Sequence, residues 1–338
     1  MKPEVNSKKF KSAMFWKAKD NNQVECCLCP FNCKLSEGKV GICQGKQNVK
    51  GKLWAANYGL ATSINIDPIE KKPLYHFYPG SAVLSIGPNG CNLKCKFCQN
   101  YQISQLDHIT KLLSPQQCIE IAKSSASIGI AYTYSEPIIW YEHVYDTSVA
   151  SHEAGLKNIM VSNGLINSKP LEILLPHIDA INIDIKSMDP VFYKKVCKGK
   201  LEPVLESVKM ASKLTHLEIT NLVIPGLNDT NKLFERLSLF IADINPLIPL
   251  HLSRYHPDYK LDLPATPTET LLRGYKIARA HLKHVYIGND ISSKSNHTHC
   301  PNCGEIVVMR SGFVVVGTSL KGNNCGNCDT TVGVECSH

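Results

Sequence analysis

The residues best able to do chemistry in this chain are cysteines, and their spacing sorts them into groups. Fifteen occur in 338 residues: five between Cys26 and Cys43, three between Cys91 and Cys98, and five between Cys300 and Cys336. Cys118 and Cys197 stand alone and read as packed or surface thiols. The central group is Cys91-x3-Cys95-x2-Cys98, with Phe97 before the last cysteine. Three thiolates at this spacing can wrap one corner of a [4Fe-4S] cluster, each on its own iron, and leave the fourth iron open to a substrate or cofactor. A structural zinc prefers four ligands in CxxC pairs. Here there are three, and the nearest other cysteine is Cys118, so iron–sulfur is the better reading.

The outer groups are four-ligand sets. Cys300-x2-Cys303 and Cys325-x2-Cys328 are 21 residues apart, just past the usual zinc-ribbon interval of about 15–20. In each pair a tight turn directs both thiolates at one ion, which predicts a tetrahedral Zn2+ site. His297, His299, Cys336 and His338 are spare ligands. At the other end, Cys26-x2-Cys29-x3-Cys33-x9-Cys43 is a second set, with Cys27 competing for register and Gly38, Gly41 and Gly45 supplying turns. Both a structural zinc and an auxiliary iron–sulfur cluster fit it.

Between these groups the chain must build elements that position the chemistry. β-rich runs at 83–88, 129–136, 157–164, 180–187, 216–226 and 246–255 alternate with helical stretches, and 284–289 is a possible seventh run. Ser114-Pro115 pairs an N-cap with a first-turn proline. Such alternation predicts an α/β fold: parallel strands with crossover helices in an open or partial (βα)6-type barrel. Chemistry in barrels gathers at the C-terminal strand ends, and these carry Glu136, Asn163, Asp184, Lys186 and His251. Three parts follow: a Cys-rich segment at 1–81, the barrel at 82–290, and a zinc-ribbon-like segment at 291–338.

The C-x3-C-x2-C loop with its aromatic resembles that of the radical S-adenosylmethionine (SAM) superfamily, and the strand ends resemble those of pyruvate formate-lyase activating enzymes. The resemblance implies that the open iron chelates the methionine end of SAM. Reductive cleavage then gives a 5'-deoxyadenosyl radical that abstracts hydrogen from a substrate. It places Ser135-Glu136-Pro137 at a Gly-Gly-Glu-Pro motif that receives the methionine ammonium, without the two glycines. Ser162-Asn163-Gly164 falls at the ribose turn, Asp184-Ile185-Lys186 at a strand end where Lys186 faces the methionine carboxylate, and Pro249-Leu250-His251 at a Pro-x-His near the cofactor. With the N-terminal cysteines, 67–74, 77–81, 257–260 and 285–289, the chain is similar over nearly its whole length to the radical enzyme of the AmmeMemoRadiSam system. That implies association with Memo-like and AMMECR1-like proteins and a reductant such as flavodoxin or ferredoxin.

Composition bounds the remaining choices. An apolar fraction of 43% and a charged fraction of 20% are those of a folded globular chain. No apolar run reaches the roughly 20 residues that cross a bilayer. The first 19 residues hold lysines but no apolar signal core, so a cytoplasmic, membrane-free protein is expected. In that reducing compartment so many thiols mean metals rather than disulfides. The net charge of +8 permits an acidic electron donor, a phosphate-rich substrate or nucleic acid, and selects none of them. The competing readings are a glycyl-radical enzyme activase, a nucleic-acid-modifying radical enzyme, and a non-catalytic metal-binding scaffold. Only a scaffold has no use for ammonium, ribose and carboxylate partners at the strand ends.

Overall fold

A computed structural model describes residues 11–289 and 296–336. The first ten residues, part of the segment read for a signal, and the spare ligand His338 lie outside them. The centre is a nine-stranded sheet in which seven strands run parallel. In chain order these are β1 (Ala82–Pro88), β2 (Gly129–Tyr132), β3 (Lys157–Ser162), β4 (Ala180–Asp184), β5 (His216–Val223), β6 (Leu250–Arg254) and β7 (Val285–Gly288). They lie side by side in the order of the chain, so each connection is a crossover packed on the sheet. Two antiparallel strands, Leu60–Pro68 and Lys111–Leu112, continue the sheet beyond β1. The seventh strand is therefore real, and six βα units precede it.

Strands covered on both faces read as unbroken apolar runs. Gly129–Tyr132 is buried throughout, as is the Ala180–Ile183 part of β4. The covering helices are amphipathic; Asn231–Ile244 buries Phe234, Leu237, Ser238 and Ile241, one face at helical spacing. Ser114 caps the helix Pro115–Ser124 in a reciprocal capping box with Gln117.

The strands stop earlier than the β-rich runs suggest. β2 ends at Tyr132 because Tyr134 takes a positive φ of 68° and Glu136 caps the 3-10 turn Pro137–Trp140. β3 stops at Ser162 and β4 at Asp184. Glu136, Asn163 and Lys186 thus stand just past strand ends, in loops free to aim at one space.

Small antiparallel sheets flank the centre. The N-terminal lobe holds two three-stranded sheets. A buried ion pair, Lys46 Nζ to Glu142 at 2.6 Å, ties it to the helix Tyr141–Glu153, with Met14 N–H donating to the other Glu142 oxygen. The C-terminal lobe is the sheet of Thr298–His299, Ile306–Ser311 and Val314–Thr318, followed by a short hairpin. Its buried Arg310 donates to the Tyr75 carbonyl and pairs with Glu70. The Glu335 backbone exchanges hydrogen bonds with His76 and Tyr78. Among the described residues no helix is long and apolar enough to cross a membrane.

Candidate active site and metal centres

A cavity of about 650 Å³ opens at the C-terminal ends of the parallel strands, within the span of about 300–1,000 Å³ usual for small-molecule sites. The structure brings every predicted central residue to it. Cys91, Cys95, Phe97 and Cys98 arrive on the loop after β1, and Ser135 and Glu136 follow β2. Ser162 and Asn163 come from the end of β3, Asp184 and Lys186 from the end of β4, and His251 from β6.

Backbone bonds to distant segments hold the cysteine loop. Lys94 N–H donates to the Cys197 carbonyl and Lys96 N–H to the Val196 carbonyl, at 2.9 and 3.1 Å. Cys197 therefore lies directly against the loop, fully buried, and its thiol meets that of Cys95. Sulfur also finds donors: Leu93 N–H points at Cys91 Sγ at 3.3 Å, and Ser104 Oγ lies 3.1 Å from Cys98 Sγ. Burial pushes the Cys91 thiol well above its ordinary value; at Cys95 the Cys197 contact comes first and burial adds to it. Such thiols ionise when a metal replaces the proton.

Glu136 is held by three hydrogen-bond donors. One carboxylate oxygen accepts from Ile138 N–H and Ser162 Oγ, and the other from Asn163 N–H, at 2.8 to 3.1 Å. Burial raises its pKa to about 7 against the pull of those donors. A carboxylate has about four lone-pair positions, so one remains for a ligand. Asn163 in turn donates to Asn92 Oδ1 at 2.9 Å, joining the ends of β2 and β3 to the cysteine loop.

Lys186 Nζ pairs with Asp184 at 2.8 Å. Burial opposes its charge, yet the neighbouring Asp184 carboxylate holds its pKa above the ordinary lysine value. His251 Nε2 lies 2.6 Å from Glu218, a fully buried carboxylate on β5 that also accepts from the Tyr75 and His76 backbone and from His216. Burial raises the Glu218 pKa, but its hydrogen bonds outweigh that and hold it well below the carboxylate range. Sequence reasoning missed Glu218. Its signal was a charge in the middle of an apolar strand run, which must find partners once buried. Phe313, on the turn between two C-terminal strands, also lines the cavity and had no signal in the sequence.

The outer cysteines divide by geometry. Cys300, Cys303, Cys325 and Cys328 bring their sulfurs within 4.8 Å of one another, with Cys300–Cys328 at 3.6 Å and Cys303–Cys325 at 3.7 Å. Zinc–sulfur bonds of about 2.3 Å in a tetrahedron demand sulfur–sulfur edges of about 3.8 Å. His299 instead faces the Gly304 carbonyl. In the N-terminal lobe Cys26, Cys29, Cys33 and Cys43 line one small cavity. Cys27 does not line it; its thiol donates to the Glu25 carbonyl instead.

The signature of the Radical SAM superfamily matches residues 85–237. A probable GTP 3',8-cyclase of Methanococcus maripaludis is 30% identical over 252 residues, covering 68% of this chain and 82% of that protein. The chain belongs to the radical SAM superfamily. Among its relatives, the uncharacterized protein MJ0808 of Methanocaldococcus jannaschii is 43% identical over 334 residues, 96% of this chain and 99% of that one. The pyruvate formate-lyase 1-activating enzyme of Escherichia coli is 23% identical over 199 residues, 55% of this chain and 79% of that enzyme. Members of the superfamily carry a [4Fe-4S] cluster, use SAM and need an electron donor such as flavodoxin or ferredoxin. That fits the central cysteines: their donor set suits a cluster with one iron left open.

Proposed function

We propose that this chain is a radical SAM enzyme in which Cys91, Cys95 and Cys98 hold the [4Fe-4S] cluster, acting by hydrogen abstraction on a substrate yet to be identified. The observation that carries the reading is the convergence of those three thiols and the ends of four strands on one 650 Å³ cavity. When bound, the cluster and SAM supply one-electron cleavage to a 5'-deoxyadenosyl radical.

The chain's own residues bind, orient and exclude water. Glu136 offers its remaining lone pair to the methionine ammonium, and its three hydrogen bonds fix where that charge sits. Lys186, kept cationic by Asp184, faces the methionine carboxylate. Ser162 and Asn163 face the ribose, with Ser135 anchored through its hydroxyl on the Pro88 carbonyl at 2.6 Å. Phe97, 3% exposed, closes the apolar side of the loop against Phe192. His251 is held in one orientation by Glu218, with Tyr75 edge-on to its ring. The C-terminal cysteines hold Zn2+ that staples the last segment, while the N-terminal four organise the segment before the barrel.

Similarity to the activating enzyme supports a second reading, activation of a glycyl-radical enzyme whose glycine loop docks over the cavity. Association with Memo-like and AMMECR1-like proteins in the cytoplasm rests on the sequence resemblance alone. The deciding experiment is anaerobic reconstitution with iron, sulfide, dithionite and SAM, assayed for 5'-deoxyadenosine. Wild-type protein forms it, and Cys91→Ala, Cys95→Ala and Cys98→Ala do not. Undiminished product from any of the three variants refutes the assignment.

A further inference from the structure

We propose that the floor of the large cavity is the substrate site, and that it takes a small molecule carrying an anionic group, carboxylate or phosphate, beside a hydroxyl or amino donor. Lys72 receives the anion, and Asn182 and Thr220 receive the donor. This rests on the reading that SAM takes the rim. Glu136, Asn163 and Lys186 stand in loops just past strand ends, whereas Asn182 and Thr220 lie inside β4 and β5, deeper in the sheet. Asn182 is two residues before Asp184 and so shares its face, and Thr220 pairs in register with Asp184. The segment 69–78 runs from the strand beside β1 across to β4 and β5. There Asn182 Nδ2 donates to the Pro73 carbonyl at 2.7 Å, and Tyr75 and His76 N–H donate to Glu218. Lys72, Pro73 and Tyr75 of that segment line the cavity.

The charge on this floor is positive. Asp67 accepts from Lys71 at 3.0 Å, from Lys72 at 2.8 Å and from the Tyr134 hydroxyl. Two ammonium groups share one carboxylate, so one positive charge is left over. The neighbouring pairs balance: Glu70 has Arg310, and Asp184 has Lys186. Lys72 is 2% exposed, with its Nζ 4.6 Å from the centre of the Tyr134 ring. An ammonium has three donors, and Asp67 takes one of them. Burial pushes the Lys72 pKa below the ordinary lysine value even with Asp67 beside it. A second negative charge at that corner offsets the cost of keeping the cation out of water.

Unpartnered polar atoms supply the rest of the recognition. Asn182 Oδ1 and Thr220 Oγ1 are buried and have no hydrogen-bond partner among the described residues, and both residues line the cavity. Buried polar atoms are rarely left in that state. The bond from Asn182 Nδ2 to Pro73 fixes the amide oxygen as the atom left over, and an oxygen there calls for an O–H or N–H donor. Glu70 Oε2, also buried and without a partner, adds an acceptor on the segment 69–78. Because Pro73 follows Lys72 directly and holds Asn182, the ammonium and the amide oxygen flank one small space. Cation and acceptor side by side suit a hydroxy or amino acid or its phosphate counterpart, and leave an uncharged glycine loop without partners for either.

The test is anaerobic titration calorimetry on full-length reconstituted protein, without SAM or reductant, using glycerate, inorganic phosphate and glycerol in turn. Wild-type protein should bind glycerate or phosphate saturably and glycerol far more weakly. The tighter of the two anions tells carboxylate from phosphate. Lys72→Met should weaken that anion by about 10-fold or more, the worth of a charge-assisted hydrogen bond. No saturable binding of either anion, or glycerol bound as well as glycerate, overturns the proposal. So does unchanged binding by Lys72→Met, which puts the anion on surface lysines. A loss in Lys186→Ala with none in Lys72→Met puts it at the rim and also overturns the proposal. Should Lys72→Met not fold, Thr220→Val decides, since it exchanges a buried hydroxyl for a methyl of similar size. Glycerate binding weakened several-fold supports the site, and unchanged binding refutes it. The titration needs no SAM cleavage, so failure of the anion site leaves 5'-deoxyadenosine formation standing, and the reverse holds as well.

Discussion

His216 makes the stability of this protein fall as the pH rises from about 6.5 to 9, by an amount that can be worked out in advance. Its Nε2 lies 3.1 Å from Glu218 and its Nδ1 3.5 Å from Glu335. Both ring nitrogens face carboxylates, and only the imidazolium can donate to both. Burial opposes that charge, but the hydrogen bonds to Glu218 and then Glu335 outweigh it, and the pKa is pushed up to about 9. Against an ordinary value of about 6.5, at about 1.4 kcal/mol for each pH unit, the folded state gains about 3 kcal/mol. The sign follows from the raised value. The gain is fully present below 6.5, where both folded and unfolded chains are protonated, and is lost as the pH passes through 9. Glu335 is half-exposed, so the solvent-screened part of the gain is the smaller one. Anaerobic urea unfolding of zinc-loaded protein at pH 6, 7, 8 and 9, for wild type and His216→Gln, measures it. The difference between the two should shrink by about 2–3 kcal/mol across the series. A difference that stays constant, or grows with pH, refutes the assignment of charge to this histidine.

Other outcomes follow from the same geometry. Glu136→Ala and Lys186→Ala should each weaken SAM binding by roughly 10- to 150-fold, the worth of a charge-assisted contact of about 1.5–3 kcal/mol, with the cluster absorbance intact by equilibrium dialysis and spectroscopy. Lys46→Met leaves Glu142 buried and unpaired, so denaturant unfolding should show a loss of about 3–5 kcal/mol, while Lys46→Met with Glu142→Leu recovers most of it. Cys300→Ser with Cys328→Ser should lower zinc by about one per chain by metal analysis and leave the central iron unchanged.

Much of the site was legible in the sequence because its chemistry is local. Thiols three and four positions apart on one loop meet whatever the rest of the chain does, and Cys91, Cys95 and Cys98 were readable for that reason. Strand ends were readable as well, since the β-rich runs stop at polar residues, and Glu136, Asn163, Asp184, Lys186 and His251 do line one cavity. Parallel strands with crossover helices followed from the alternation of β-rich and helical runs, and the possible seventh run is a strand; the order of the strands is the fold's.

What the tertiary structure alone decided lies in contacts across long stretches of chain. Glu218 stands 33 residues from His251 and more than 140 from Tyr75 in sequence, so its part in orienting the histidine emerges when β5 and β6 pair. Phe313 reaches the cavity because Arg310 and Glu335 dock the C-terminal lobe on the segment 75–78. The choice between one ion and a cluster at the N-terminal cysteines is a matter of a few ångströms between sulfurs. Sequence spacing limits those distances only from above; at the C-terminal cysteines the folded chain closes four sulfurs to within 4.8 Å of one another. Spacing names the possible ligands; the distances that select a metal come from the packed core around them.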